Sequence, residues 1–109
     1  MIRIELITSV LRDPEYGAIL GSYEKKLVDS LRRTYPNLKL NSLEGSKLDF
    51  LLVNDANDDF DVFVNICNIM HIMKVGGFII GNNYDINYSV INELFPYAWR
   101  NKDYWMTRV

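Results

Sequence analysis

"LDFLLVN", residues 48–54, is the stretch whose reading decides the fold. Its apolar residues run almost without interruption instead of alternating with polar ones. A strand that is covered by helices on both faces of a parallel sheet reads this way, so the stretch predicts a central strand of an α/β sheet. It stops at "DANDD", residues 55–59, where three acids surround an Asn. A second short apolar run behaves alike: "VGGFIIGNNYD", residues 75–85, reads as a turn, a buried strand, and then Asn82, Asn83 and Asp85. In an open α/β sheet, ligands bind beyond the carboxyl ends of the strands, which makes both polar clusters candidate site residues. The alternative is local: Asn and Asp tolerate left-handed backbone in turns, and acids favour a helix N-terminus.

Working outward toward the N-terminus, "LKLNSLE" (38–44) alternates and predicts a strand, with Gly45 and Ser46 as the turn after it. Before it, Leu27, Val28 and Leu31, continued by Tyr35, fall at helical spacing, which predicts a helix over 24–33 with Ser22 as its cap. Pro36 and Asn37 stop that helix. "RDPEYGAILGS" carries Pro14, Gly17 and Gly21 and reads as a loop, and "IRIELIT" (2–8) alternates at period two and reads as a strand.

Toward the C-terminus, "FDVFVNICNIMHIM" predicts a helix, ended by Lys74, Gly76 and Gly77. Its polar residues Asp61, Asn65 and Asn68 fall within about 60° on a helical wheel and leave most of the circumference apolar. Such a helix needs cover on more than one side, which predicts a homo-oligomer built through helix 61–73. "FIIGNN" is the next strand, "NYSVINELF" a helix opened by Asn87, and "DYWMTRV" a last strand. The expected architecture is one α/β domain with a mostly parallel sheet of about five strands and three helices.

A net charge of -2 over 109 residues supplies no basic field for a nucleic acid or an anionic membrane, and 49% apolar with 24% charged residues is ordinary for a soluble globular chain. Cys67 is the single cysteine, which excludes an internal disulfide and predicts a reducing, cytoplasmic setting, with the thiol packed among Ile66, Ile69 and Met70. "MIRIELITSV" lacks a signal-peptide cleavage pattern, and no apolar run is long enough to span a membrane. His71 lies late on an apolar helix and reads as structural or interfacial rather than as a general base. Tyr97, Trp99, Tyr104 and Trp105 read as core aromatics, with an aromatic ligand wall as the other reading.

From Leu48 to Asp85 the chain resembles the second half of the class I S-adenosylmethionine-dependent methyltransferase fold, particularly the small-molecule and sugar O-methyltransferases. There the fourth strand runs into an acidic loop D-A-D-H-x-Y, for which this chain has Asp55, Ala56, Asn57, Asp58 and Phe60. "IMKVGGFIIGNNYD" is similar to the family's L-K-P-G-G-x-I-I-x-D-D-Y, and residues 86–109 to its remaining helix and antiparallel return. The resemblance implies a shortened methyltransferase-like, Rossmann-like fold that binds S-adenosylmethionine and a small-molecule acceptor. It places catalytic roles on Asp55 and Asn83, and substrate or divalent-metal contacts on Asp55, Asn82 and Asn83. One carboxylate and two amides hold a hard cation weakly. No G-x-G-x-x-G is present, and the glycines standing between strand and helix, as the family's cofactor turn does, are Gly17 and Gly21. Aligned backward, "IRIELITS" becomes the family's second strand and "LKLNSLE" its third, with the first, central strand deleted. The other function implied is a non-catalytic, oligomeric module derived from the same fold.

Overall fold

The computed structural model describes residues 1–42, 47–56 and 59–109, with residues 59–60 and 85–87 described by their backbone alone. The ends of the 38–44 strand and of the "DANDD" loop, including Asn57 and Asp58, lie outside the described residues, as do Gly45 and Ser46.

Residues 2–8 do not form a strand. They contribute to a helix, α1 (Ile4–Val10), with Ile7 fully buried and Leu11 behind it. The alternation of Ile2, Ile4 and Leu6 is real, but Ile4, Ile7 and Leu11 also stand three and four apart, and it is this helical stripe that meets the core. The supposed loop is instead a strand, β1 (Tyr16–Gly21). Gly17 is required there by packing, since a Cβ would lie 2.2 Å from the Phe50 ring.

Helix α2 (Lys25–Thr34) buries Leu27, Val28 and Leu31 as expected, although Glu24 and not Ser22 occupies its N-cap position. β3 (Leu48–Asn54) follows the sequence reading, whereas of the strand expected over 38–44 only Lys39–Leu40, β2, is strand among the described residues. Helix α3 (Asp59–Ile69) passes through one tight turn, Met70–Ile72, straight into β4 (Met73–Asn82). Lys74 and Gly76 therefore belong to the strand rather than to a helix end. Gly76 takes a φ of +89°, and the register shifts between Leu48 and Phe50, so the start of β4 bulges away from β3. Lys74 reaches across to Asp49 at 2.9 Å.

Asn83 stands at the N-cap position of α4 (Tyr84–Leu94), and Asn87 lies inside that helix instead of opening it. The chain ends in a short β5 (Trp99–Arg100), absent from the sequence reading, and β6 (Tyr104–Arg108).

The sheet order is β2-β1-β3-β4-β6-β5, six strands where about five were expected, and four α-helices rather than three flank it among the described residues. β1, β2, β3 and β4 are mutually parallel, and β6 returns antiparallel beside β4. β3 is central and its apolar side chains are buried. The place next to β3 that the resemblance left vacant is filled by β1, so the sheet closes without a borrowed strand. Ile7, Leu27, Leu31, Phe50 and Leu52 form the core on the α1/α2 face, and Leu51, Ile66, Ile79, Ile91 and Trp105 that on the α3/α4 face. This is a three-layer, Rossmann-like α/β arrangement. No helix among the described residues is long and apolar enough to cross a membrane.

Candidate functional site

Parallel register carries the ends of three strands to one rim. Gly21 pairs with Asn54, and Val53 with Gly81, so Gly21–Ser22, Asn54–Asp55 and Asn82–Asn83 sit side by side where the strands stop. The backbone turns sharply at that rim. Asp55 and Asn83 adopt left-handed φ values of 50° and 55°, which Asn and Asp reach at lower cost than most residues. The turn reading and the site reading of these residues therefore describe the same atoms.

Gly21 takes a φ of +88°, and a Cβ there would stand 2.2 Å from the Asn54 carbonyl oxygen. The Ser22 N–H donates to that same oxygen at 2.8 Å, which pulls the loop after β1 against β3. The Asn54 side chain is fully buried, and both ends of its amide are bonded: its Oδ1 accepts from the Ile2 N–H at 2.8 Å and its Nδ2 donates to the Ser22 carbonyl at 2.8 Å. Asn54 thus ties the N-terminal segment, the β1 loop and β3 together.

Beside it, Asp55 and Asn82 bond reciprocally. The Asp55 N–H donates to Asn82 Oδ1 at 2.8 Å, and Asn82 Nδ2 donates to Asp55 Oδ1 at 2.6 Å. The Met1 nitrogen lies 3.0 Å from the same carboxylate oxygen. Burial alone would raise the Asp55 carboxyl, but hydrogen bonds with Glu24, the Met1 nitrogen and Asn82 outweigh it and hold the group below the ordinary carboxylate value. Glu24 is pushed the other way, first by its hydrogen bond with Asp55 and then by desolvation.

At the opposite end of the sheet, Asp49 is likewise lowered. Burial opposes the shift, and the N–H of Tyr16, Lys74 and the N–H of Glu15 outweigh it. The sign of the pH dependence follows. A carboxyl lowered in the folded state adds stability that is complete above its unfolded value, about 4, and disappears as pH falls through the folded one. Glu24, raised, contributes in the reverse sense, with its share lost as pH rises through the folded value. Glu24 is the one carboxyl among the described residues that is raised, against two that are lowered, so the two Asp residues set the net sign. Urea unfolding should be nearly flat from pH 7 to 5 and weaken below about 4, with a smaller acid loss in Asp49→Asn. An unchanged slope in that variant would contradict the assignment.

Asp55, with Gly21, Ser22, Ala56, Asp61 and Asn65, lines a cavity of about 340 Å³ between the ends of β1 and β3 and the start of α3. Asn82 and Asn83 line a second cavity, of about 760 Å³, on the other side. Gly17 is not brought to the rim, since it lies near the start of β1. The proposed metal set does not fit a hard cation either. The Asn82 oxygen already accepts an N–H, Asp55 Oδ1 already takes two donors, and no group of three or more His, Cys, Asp or Glu is gathered among the described residues. No step is derived through a metal.

His71 is exposed in the turn that precedes β4, at the end of that strand remote from the rim. Cys67 is exposed rather than packed. Tyr97 and Trp99 are exposed too, at 97% and 58%, whereas Trp105 is fully buried with its indole lying on Gly81. The residues missed in the sequence are Asn54 and Glu24. An Asn that ends an otherwise apolar strand is a signal for the first, because a buried amide needs partners.

No family model matches the chain, and no curated protein matches it in sequence. Among known structures, the fold matches that of Haemonchus contortus phosphoethanolamine N-methyltransferase 2 in complex with S-adenosyl-L-methionine, with a TM-score of 0.59 at 18% sequence identity. The match covers 90% of this chain and 28% of that one. The chain has a class I methyltransferase-like fold and spans about a quarter of the length of the protein it matches.

Proposed function

We propose that the chain is an S-adenosylmethionine-binding, methyltransferase-like domain, shortened relative to the full fold, whose cofactor lies in the cavity between β1 and β3. The observation that carries this reading is Gly21, held at positive φ against the Asn54 carbonyl at the end of β1. A nucleotide-binding turn at the end of a first strand uses that positive φ, and here the missing side chain lets the turn close onto β3, which sets the Ser22 and Asp55 backbones at one edge of the cavity. Ser22, Asp55 and Ala56 would hold the ligand with Gly21. The solved neighbour's binding of S-adenosyl-L-methionine supports the choice of ligand.

Bound there, S-adenosylmethionine would supply an electrophilic methyl group to an acceptor oxygen, with sulfur keeping the electron pair of the broken sulfur–carbon bond and the hydroxyl proton passing to water. On that basis Asp55, Asn82 and Asn83 orient the hydroxyl of a small molecule or sugar. Asp55, a carboxylate held below its ordinary pKa, serves as a hydrogen-bond acceptor and is too weakly basic to take much of the hydroxyl proton.

A second reading is a non-catalytic module, and the reciprocal bonding of Asp55 and Asn82 favours it, because both side chains are already partnered. Its oligomer would form through α3, where Val64 is exposed although Val62 and Ile66 face the core. Calorimetric titration separates the two. Micromolar binding of S-adenosylmethionine and of its demethylated product, weakened at least tenfold in Asp55→Ala, supports the cofactor site. No heat at millimolar ligand leaves the module, and sedimentation of the wild type against Val64→Glu then tests its interface.

A further inference from the structure

The Asp55–Asn82 pair divides the rim. On its Asn82 side, the cavity of about 760 Å³ is lined by Ile2, Leu6 and Tyr104 together with the charged Arg3, Glu5 and Asp103. Leu6 and Tyr104 also line a groove of about 650 Å³ that runs down the sheet beside α1, past Phe78, Trp99 and Met106. Register makes the two continuous: Tyr104, Met106 and Arg108 alternate along β6, opposite Asn82, Ile80 and Phe78. From Tyr104 to Arg108 the channel spans roughly 13 Å, at about 3.3 Å per residue.

We propose that this cavity and groove form one acceptor channel for a planar aromatic molecule that presents a hydroxyl to Asn82 and Asn83. What happens to the bound molecule rests on the methyltransferase reading; the binding does not.

The walls argue for an aromatic body over a sugar. A sugar brings a hydroxyl on almost every carbon, and in the groove these would lose water against Leu6, Val10, Phe78 and Met106 with few polar side chains, Ser9, Thr107 and Arg108 among them, to replace it. Ring faces are what the groove offers instead. Trp99 and Tyr104 meet with centroids 5.2 Å apart and planes at 54°, which forms a corner into which a flat ligand can stack. Trp99 is 58% exposed and Tyr97 97%, so the aromatic surface at the mouth stands in water and gains by being covered. A small molecule fits better than a protein segment, because both spaces fall in the size range of ligand sites and open onto the polar rim.

The probe is 2-naphthol, titrated by fluorescence without S-adenosylmethionine. Saturable one-site binding is expected, weakened at least fivefold by Trp99→Ala and by Ser9→Trp, which fills the groove from the exposed face of α1. Tyr88→Ala, on α4 and outside the groove, should leave it unchanged. Absence of saturation, equal weakening by Tyr88→Ala, or a dimer that Trp99→Ala dissociates would each overturn the proposal, the last by assigning the groove to a second copy. Naphthol binding in a chain that ignores S-adenosylmethionine upholds the channel and removes the methyltransferase reading; the converse result removes the channel alone.

Discussion

Gly21→Ala should lower stability by about 3 kcal/mol and weaken S-adenosylmethionine binding at least tenfold. Two costs combine. An L residue at a φ of +88° is strained by roughly 1–2 kcal/mol. The new Cβ would also lie 2.2 Å from the Asn54 carbonyl oxygen and 3.3 Å from the Ala56 nitrogen, which are backbone atoms and cannot swing aside. Moving them breaks the Ser22 N–H bond to Asn54, worth about 1 kcal/mol more. Gly76 supplies the control: it has nearly the same φ, +89°, with nothing within 4 Å of its Cβ position. Gly76→Ala should show the conformational cost alone. Equal losses by urea unfolding in the two variants would remove the close approach from the account, and unchanged ligand binding in Gly21→Ala would remove the cofactor turn.

The second large effect is expected at Asn54. Removing its side chain with Asn54→Ala strands the Ile2 N–H in a buried position and takes the partner from the partly buried Ser22 carbonyl, at about 2–3 kcal/mol in total. Asn54→Asp distinguishes this from simple loss of volume. It keeps the acceptor for Ile2 but sets an oxygen against the Ser22 carbonyl, and burial favours the neutral acid, which can donate there. A folded pKa raised in this way gives stability below the unfolded value of about 4 that is lost as pH rises through the raised value. Asn54→Asp should therefore be more damaging at pH 7 than at pH 4, where the wild type shows no such rise. Urea unfolding at both values reads the difference, and a variant equally stable at the two would contradict the hydrogen-bond assignment. Faster exchange of the Ile2 amide should accompany both substitutions.

Much of the sheet could be read directly from residues. "LDFLLVN" announced a strand covered on both faces, Leu27, Val28 and Leu31 announced α2, and the polar ends after Val53 and Ile80 do share one rim. The failures cluster at the N-terminus, where a period-two pattern over Ile2, Ile4 and Leu6 overlies a helical one through Ile7 and Leu11. Gly17 and Gly21 misled for opposite reasons. The first is a strand residue made small by the Phe50 ring, a contact between positions far apart in sequence, and only the second is conformationally required. With β1 hidden, the central strand seemed deleted and the β1 loop could not be placed beside Asp55. Asn54, at the end of an apolar strand, signalled a buried amide, but its partners Ile2 and Ser22 lie far from it in sequence and no local pattern names them. Tyr97 and Trp99 read as core by type, yet they sit where the sheet's edge leaves a face uncovered.

The most direct test is an amide-shift titration of ¹⁵N-labelled protein with S-adenosylmethionine. The account predicts saturable shifts centred on Leu20–Ser22, Asp55–Ala56 and Asp61, around the cavity between β1 and β3, with β2 and β5 unmoved. No movement at millimolar ligand, or movement confined to Leu6 and Tyr104 on the far side of Asn82, would contradict it.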